Sequence, residues 1–127
     1  MNFVFELDGV ICSPAKGIQF GIVEYIENSL PIINAVSFMQ WLEKEGHSIT
    51  IWCQRPNDLA VKLRTEGWLK DHQVPYDRLL FDRPKEPIYV NETPCNSQYF
   101  DYDDDTRTVA MLFEEWKQWK QEQTQKE

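Results

Sequence analysis

Two short runs of β-favouring residues, Asn2 to Leu7 and Ser48 to Cys53, flank a segment whose apolar side chains return at helical spacing. This alternation constrains the fold more than any other feature of the sequence. Ile32, Ala35, Val36, Met39 and Leu42 mark the buried face of that first helix. Pro31 suits its first turn, Ser29 is an available cap, and Gly46 is a stop. Asn57 or Asp58 caps a second helix that runs to about Asp71, with Pro75 beyond it as a stop. Arg78-Leu79-Leu80-Phe81 gives a third strand and Ile88-Tyr89-Val90 a fourth. Asp101 to Asp105 reads as an acidic loop. A last helix starts near Thr106 and buries Val109, Leu112, Phe113 and Trp116, before a polar tail, 120–127, that frays.

Strands alternating with helices imply a mostly parallel sheet, because parallel neighbours need a crossover between them. The expected architecture is α/β: three layers, Rossmann-like, with helices on both faces of the sheet and no large cap domain. It forms one domain over 1–127, and a chain of this length buries roughly two-thirds of its unfolded surface. Residues Cys12 to Leu30, with Pro14, Gly17 and Gly21, break the alternation and are expected to form a small irregular flap over the strand ends.

The formal net charge of −8 argues against nucleic acid or an anionic membrane as a general partner. Cys12, Cys53 and Cys95 are odd in number and lack CxxC spacing, so a disulfide framework or zinc site is not expected and a reducing, cytoplasmic setting is. The first residues lack the basic region of a signal peptide, and no apolar run approaches the roughly 18 residues of a membrane span.

In open parallel sheets, ligands bind beyond the carboxyl ends of the strands. That rule selects Glu6 to Val10, Cys53 to Arg55, Asp82 to Lys85, and Asn91-Glu92. Phe3-Val4-Phe5-Glu6-Leu7-Asp8-Gly9-Val10 resembles the first motif of the haloacid dehalogenase superfamily, an apolar strand followed by Asp-x-Asp-Gly-Thr or Val. Ile49-Thr50-Ile51-Trp52-Cys53-Gln54-Arg55-Pro56 looks like its second motif. Trp68 to Asp77 resembles the linker of small capless members. Phe81-Asp82-Arg83-Pro84 and Tyr89-Val90-Asn91-Glu92 stand where those members carry Lys-Pro and the final acidic pair. The resemblance spans about residues 3 to 95 and implies phosphoryl transfer through a covalent acyl-phosphate. By that resemblance Glu6 is the nucleophile position and Asp8 the acid/base. Cys53, Gln54, Arg55, Arg83 and Lys85 take the phosphate-binding positions, and Glu6, Asp8, Asn91 and Glu92 hold Mg²⁺.

Nearly every one of those positions departs from the family pattern. Glu6 replaces an Asp and moves the carboxylate by about a bond length, and a misplacement near 1 Å can cost about 10²-fold in rate. Cys53 is a weaker donor than the hydroxyl it replaces. Arg83 keeps the charge of a Lys in another shape, with Lys85 close enough to substitute. Asn91 is neutral where a metal-binding Asp is expected, so Mg²⁺ should bind weakly. The expected function is a degraded phosphohydrolase site with low or no phosphatase activity and a ligand-binding or regulatory role toward a small phosphorylated ligand. The alternative is an active Mg²⁺-dependent phosphomonoesterase acting on a small phosphorylated metabolite.

Other motifs have plainer readings. Glu6 and Asp8 also read as a strand-end carboxylate and the start of a turn. Cys53 lacks the Arg six residues on that a thiol phosphatase needs, since position 59 is Leu59. Arg55 is either a phosphate or partner contact or a surface residue tied to Asp58. The Asp103 to Glu114 spacing suggests a calcium loop, but Arg107 and Thr108 occupy positions such a loop cannot accept. His47 and His72 have no partner at metal spacing. Trp119 exceeds what one buried helix face requires, which leaves a homodimer contact open.

Overall fold

The computed structural model describes residues 1–13, 26, 28–85, 88–90, 93–95, 97–102 and 109–125. In chain order these form β1 (Asn2–Glu6), α1 (Ile33–Lys44), β2 (Ser48–Trp52), α2 (Leu59–Asp71), β3 (Arg78–Leu80), β4 (Ile88–Val90), β5 (Thr93–Cys95), β6 (Ser97–Phe100) and α3 (Val109–Gln125). The main sheet has the order β3-β2-β1-β6, and every pairing in it is parallel. The α/β class with a parallel sheet is therefore as the alternation implied. No described helix is long and apolar enough to cross a membrane.

β1 is central, and residues 2–5 are buried without alternation, as a parallel strand covered on both faces should be. Asn2 is buried at its start. It donates to Ser97 Oγ at 3.1 Å and accepts from Ser48 Oγ at 2.9 Å, which fixes the register of β1 against both neighbours. Phe3, Phe5, Ile49, Ile51 and Phe100 point to one face and join α1, α2 and α3 side chains in the main core. Phe5 and Phe100 stack at 4.9 Å, and Trp116 of α3 lies 6.0 Å from Phe38 of α1.

Helices were expected on both faces, but all the described ones lie on this one. The steps β1 to β2 and β2 to β3 run in the same direction along the sheet, so right-handed crossovers place α1 and α2 together. The return step from β3 to β6 runs the other way and belongs to the opposite face. That face carries a smaller cluster of Val4, Trp52, Leu80 and Tyr99. The return connection meets it through Pro84, whose carbonyl accepts from the Tyr99 hydroxyl at 3.1 Å, and Arg83, whose guanidinium lies 4.1 Å from the Tyr99 ring centre.

The fourth sheet strand also differs from expectation. Ile88–Val90 pairs antiparallel with Thr93–Cys95 in a separate two-stranded sheet, and the strand beside β1 is Ser97–Phe100. Only two residues separate β4 from β5, a hairpin spacing that excludes a parallel crossover. α1 begins at Ile33 with Ile32 at its cap position and no side-chain cap, so Ser29 does not fill that role. Asp58 does cap α2, accepting from the Val61 amide at 2.9 Å. α3 continues to Gln125 rather than fraying after Trp119, since its last turns are rich in the strong helix formers Gln, Glu and Lys. Most of the expected flap and the residues 103–108 lie outside the described residues.

Candidate functional site

The turn after β1 is closed by its own backbone. Ile11 and Cys12 amides donate to the Leu7 carbonyl, and the Gly9 amide donates to the Cys12 carbonyl at 2.8 Å. Gly9 has φ +90°, and a Cβ there would sit 2.6 Å from Tyr102 Cγ. Only glycine meets both conditions without displacement. The turn holds Asp8 toward the end of β2, where Arg55 grips it with two hydrogen bonds, Nη2 to Oδ1 at 2.8 Å and Nε to Oδ2 at 3.0 Å. Arg55 Nη1 donates to Thr65 Oγ1 on α2 at 2.9 Å. The Arg55 side chain is 2% exposed and that of Asp8 24%. Burial works against the guanidinium charge, but the hydrogen bonds and charge of Asp8 outweigh it and hold the Arg55 pKa above its ordinary value.

A second cluster lies at the ends of β1, β2 and β6. Glu6 accepts from the Tyr102 amide at 2.7 Å, tying the exit of β6 to the end of β1. Asp101, the first residue after β6, accepts from Trp52 Nε1 on Oδ1 and from Arg83 Nε on Oδ2, each at 2.9 Å. Here Arg83 is 51% exposed.

Of the residues singled out from sequence, the structure brings Asp8 and Arg55 into direct contact and makes Arg55 a buried group, neither a surface arginine nor a partner of Asp58. Cys53 is buried, and burial pushes its thiol pKa up, as it does for Cys12, whose Sγ lies 3.8 Å from Asp8 Oδ1. Buried thiols of this kind are poor nucleophiles. Gln54, Arg83 and Lys85 are exposed at the same end of the sheet. Asn91 and Glu92 lie outside the described residues, but the strand preceding them is in the hairpin rather than beside β1.

The sequence reading missed Thr65, Trp52, Tyr102 and Asp101. Asp101 follows the strand paired with β1, and the β-favouring Tyr99-Phe100 before it was the available signal. For Mg²⁺, Asp8 faces a guanidinium with both oxygens, and Asp101 already accepts from Trp52 and Arg83. Among the described residues no three Asp, Glu, His or Cys side chains are arranged to hold a metal ion. As arranged, Mg²⁺ would have to displace Arg55 from Asp8, or Arg83 or Trp52 from Asp101, to be held by either carboxylate.

His47 and His72 have structural partners. His47 meets Phe3 edge-on at 5.1 Å, and His72 lies 4.3 Å from Trp68. Trp119 is packed within the chain against Phe3, Phe38 and Trp41.

No protein-family model matches the chain. No curated protein matches it either. Solved structures do show a likeness. Chains in two structures of the Pnkp1/Rnl/Hen1 complex, one described as an RNA repair complex, match 90% of this chain at 17% and 18% identity, each with a TM-score of 0.49. This chain spans 32% and 30% of their lengths. A structural-genomics target from Vibrio cholerae matches over 93% of this chain and 95% of its own, at 18% identity and a TM-score of 0.50. At these identities the likeness is one of fold: the chain is an α/β domain with a four-stranded parallel sheet, distantly similar in architecture to the Vibrio cholerae protein.

Proposed function

We propose that this domain is a haloacid-dehalogenase-like protein that recognises a small phosphorylated ligand at the carboxyl ends of its parallel strands and hydrolyses it slowly or not at all. The observation that carries this reading is the Arg55–Asp8 pair. In the family that the sequence resembles, the acid/base carboxylate must exchange a proton with the leaving group and then with water. Here both oxygens of that position are committed to a buried guanidinium. Delivering a proton from Asp8 requires breaking two charge-assisted hydrogen bonds where little water can replace them. The extra methylene of Glu6 and the Tyr102 amide on its carboxylate work in the same direction. Gln54, Arg83 and Lys85 keep exposed donors suited to phosphoryl oxygens.

A Mg²⁺-dependent phosphomonoesterase is the second reading, and one observation favours it. Asp101 directly follows the strand beside β1, so a carboxylate is available at the strand end for which the resemblance had offered neutral Asn91.

Hydrolysis of an aryl phosphate with and without Mg²⁺ separates the two. Wild type, Glu6→Gln and Asp8→Asn are prepared identically, and the expected result is no turnover above that of the variants. Mg²⁺-dependent turnover abolished by both substitutions establishes the second reading instead. Titration with phenyl phosphate, followed by amide NMR shifts, tests recognition. Saturable shifts at Gln54 and Arg83 are expected, and their absence removes the ligand-binding role.

A further inference from the structure

α2 is apolar on two faces. Val61, Trp68 and Leu69 are buried in the main core, while Leu59 and Leu63 are 71% and 57% exposed on the outer side. A surface helix ordinarily carries one apolar stripe. Leu59 and Leu63 stand four residues apart on one face, and Gly67 continues that face one turn further on. A Cβ at Gly67 would meet nothing within 4 Å. Beside it lies a groove of about 580 Å³ whose apolar walls are Leu63, Val74, Pro75 and Tyr76. The stripe therefore carries a knob, Leu59, and a hole, Gly67, each four residues from Leu63.

This spacing selects the occupant. When a second copy lays its α2 antiparallel across the first, a two-fold axis at Leu63 sets each Leu59 over the other copy's Gly67. It also brings the two Leu63 side chains together. Like flanks of antiparallel helices face each other, so Lys62 of each copy comes near Glu66 of the other. A chain of net charge −8 is in general repelled by its own copies. This surface is balanced instead: Lys70 lines the groove with Glu43 and Glu66, and Lys62 is exposed beside them. A partner of one strong charge gains little from such a rim.

We propose that α2 and its groove form an antiparallel homodimer interface in which Leu59 of each copy fills the hole over Gly67 of the other. One 13-residue helix and the segment after it make a small interface, so a Kd of about 10–100 μM is expected. The proposal does not rest on the function assigned to the strand ends.

Sedimentation equilibrium of the full chain from about 1 μM to 1 mM tests it. The mass should rise from that of one chain toward that of two. Gly67→Gln fills the hole and replaces a poor helix former, so it should leave the midpoint of thermal unfolding unchanged or raised while weakening association about tenfold or more. Leu63→Glu changes an exposed position, keeps the fold and should abolish the dimer by setting two carboxylates at the axis. Lys62→Glu should weaken association, and Lys62→Glu/Glu66→Lys should restore it, because the exchange preserves the pairs between copies. A strict monomer at the highest concentration overturns the proposal and leaves the stripe to a different protein. A dimer that either Gly67→Gln or Leu63→Glu leaves unchanged overturns it too, since another surface is then the interface. So does a double charge variant no better than Lys62→Glu alone.

Discussion

The domain closes its strand ends with two arginine–aspartate pairs that share their chemistry and differ in their surroundings. Arg55 holds Asp8 with two hydrogen bonds and also donates to Thr65 on α2, with a side chain 2% exposed. Arg83 holds Asp101 with one, lies over the Tyr99 ring, and is 51% exposed. The two aspartates are alike in exposure, 24% and 27%, so the difference lies in the arginines: Arg55 cannot turn to water if its partner is lost, and Arg83 can. The same two residue types therefore form a structural joint in one place and an adaptable surface in the other. Under the proposed function, the buried pair withholds Asp8 from proton transfer, and the exposed pair leaves Arg83 free to meet a ligand.

The sharpest break of this comparison is Arg55→Met set against Arg83→Met. Removing one member of a buried pair leaves the other desolvated and uncompensated, at a cost of about 3–5 kcal/mol. The partial exposure of Asp8 puts Arg55→Met toward the lower end of that range. Even so, it is a large share of the roughly 5–15 kcal/mol that holds a domain together. Urea unfolding at neutral pH measures it. The double variant Arg55→Met/Asp8→Leu should recover part of the loss, because no lone charge is then left in the site. Equal losses for Arg55→Met and Arg83→Met would show that burial does not distinguish the pairs.

Gly9→Ala tests how the two regions are joined. Tyr102 presses on Gly9 from the β6 side, and its amide binds Glu6 on the β1 side. An alanine at φ +90° is strained by about 1–3 kcal/mol, and its Cβ also meets the Tyr102 ring. Unfolding of Gly9→Ala should show a loss in or above that range. Adding Tyr102→Ala should remove the two closest contacts, leaving its own Cβ at 3.0 Å and the backbone strain, so the two changes should be non-additive. Additive losses would mean that the ring is not packed against the turn.

What could be read from the sequence was local. β1, β2 and the Asp58 cap follow from short-range patterns, and Gly46, at φ +86°, ends α1 as its position implied. β6 was missed because its identity depends on which strand lies beside β1, a fact about residues 95 positions apart. Ile88–Val90 has equal β-character and came first. The same limit applies to Arg55. Its distance to Asp8 in sequence is 47 residues, and nothing near it shows that it will be buried. One clue was present: Thr65 falls between Val61 and Leu69 on the buried stripe of α2. A hydroxyl in that stripe needs a polar partner from outside the helix, and Arg55 is that partner.

Arg83→Met carries the smallest expected effect and sharpens the comparison from the weak side. Asp101 keeps the Trp52 indole as a donor when Arg83 is removed, so no buried acceptor is orphaned. Arg83 itself is half in water, where ion pairs contribute about 0–1 kcal/mol, and losing its stacking on Tyr99 adds about 0.5–1 kcal/mol at an exposed site. Unfolding at low salt should therefore show a loss no greater than about 2 kcal/mol. Raising the ionic strength from about 0.01 to 1 M shortens the screening length from roughly 30 to 3 Å. That change should shrink the Arg83→Met loss while leaving the Arg55→Met loss nearly unchanged, because salt does not enter the buried pair. If both losses were insensitive to salt, Arg83 would be as much a structural joint as Arg55, and the phosphoryl contact assigned to it would have to move to Gln54 and Lys85.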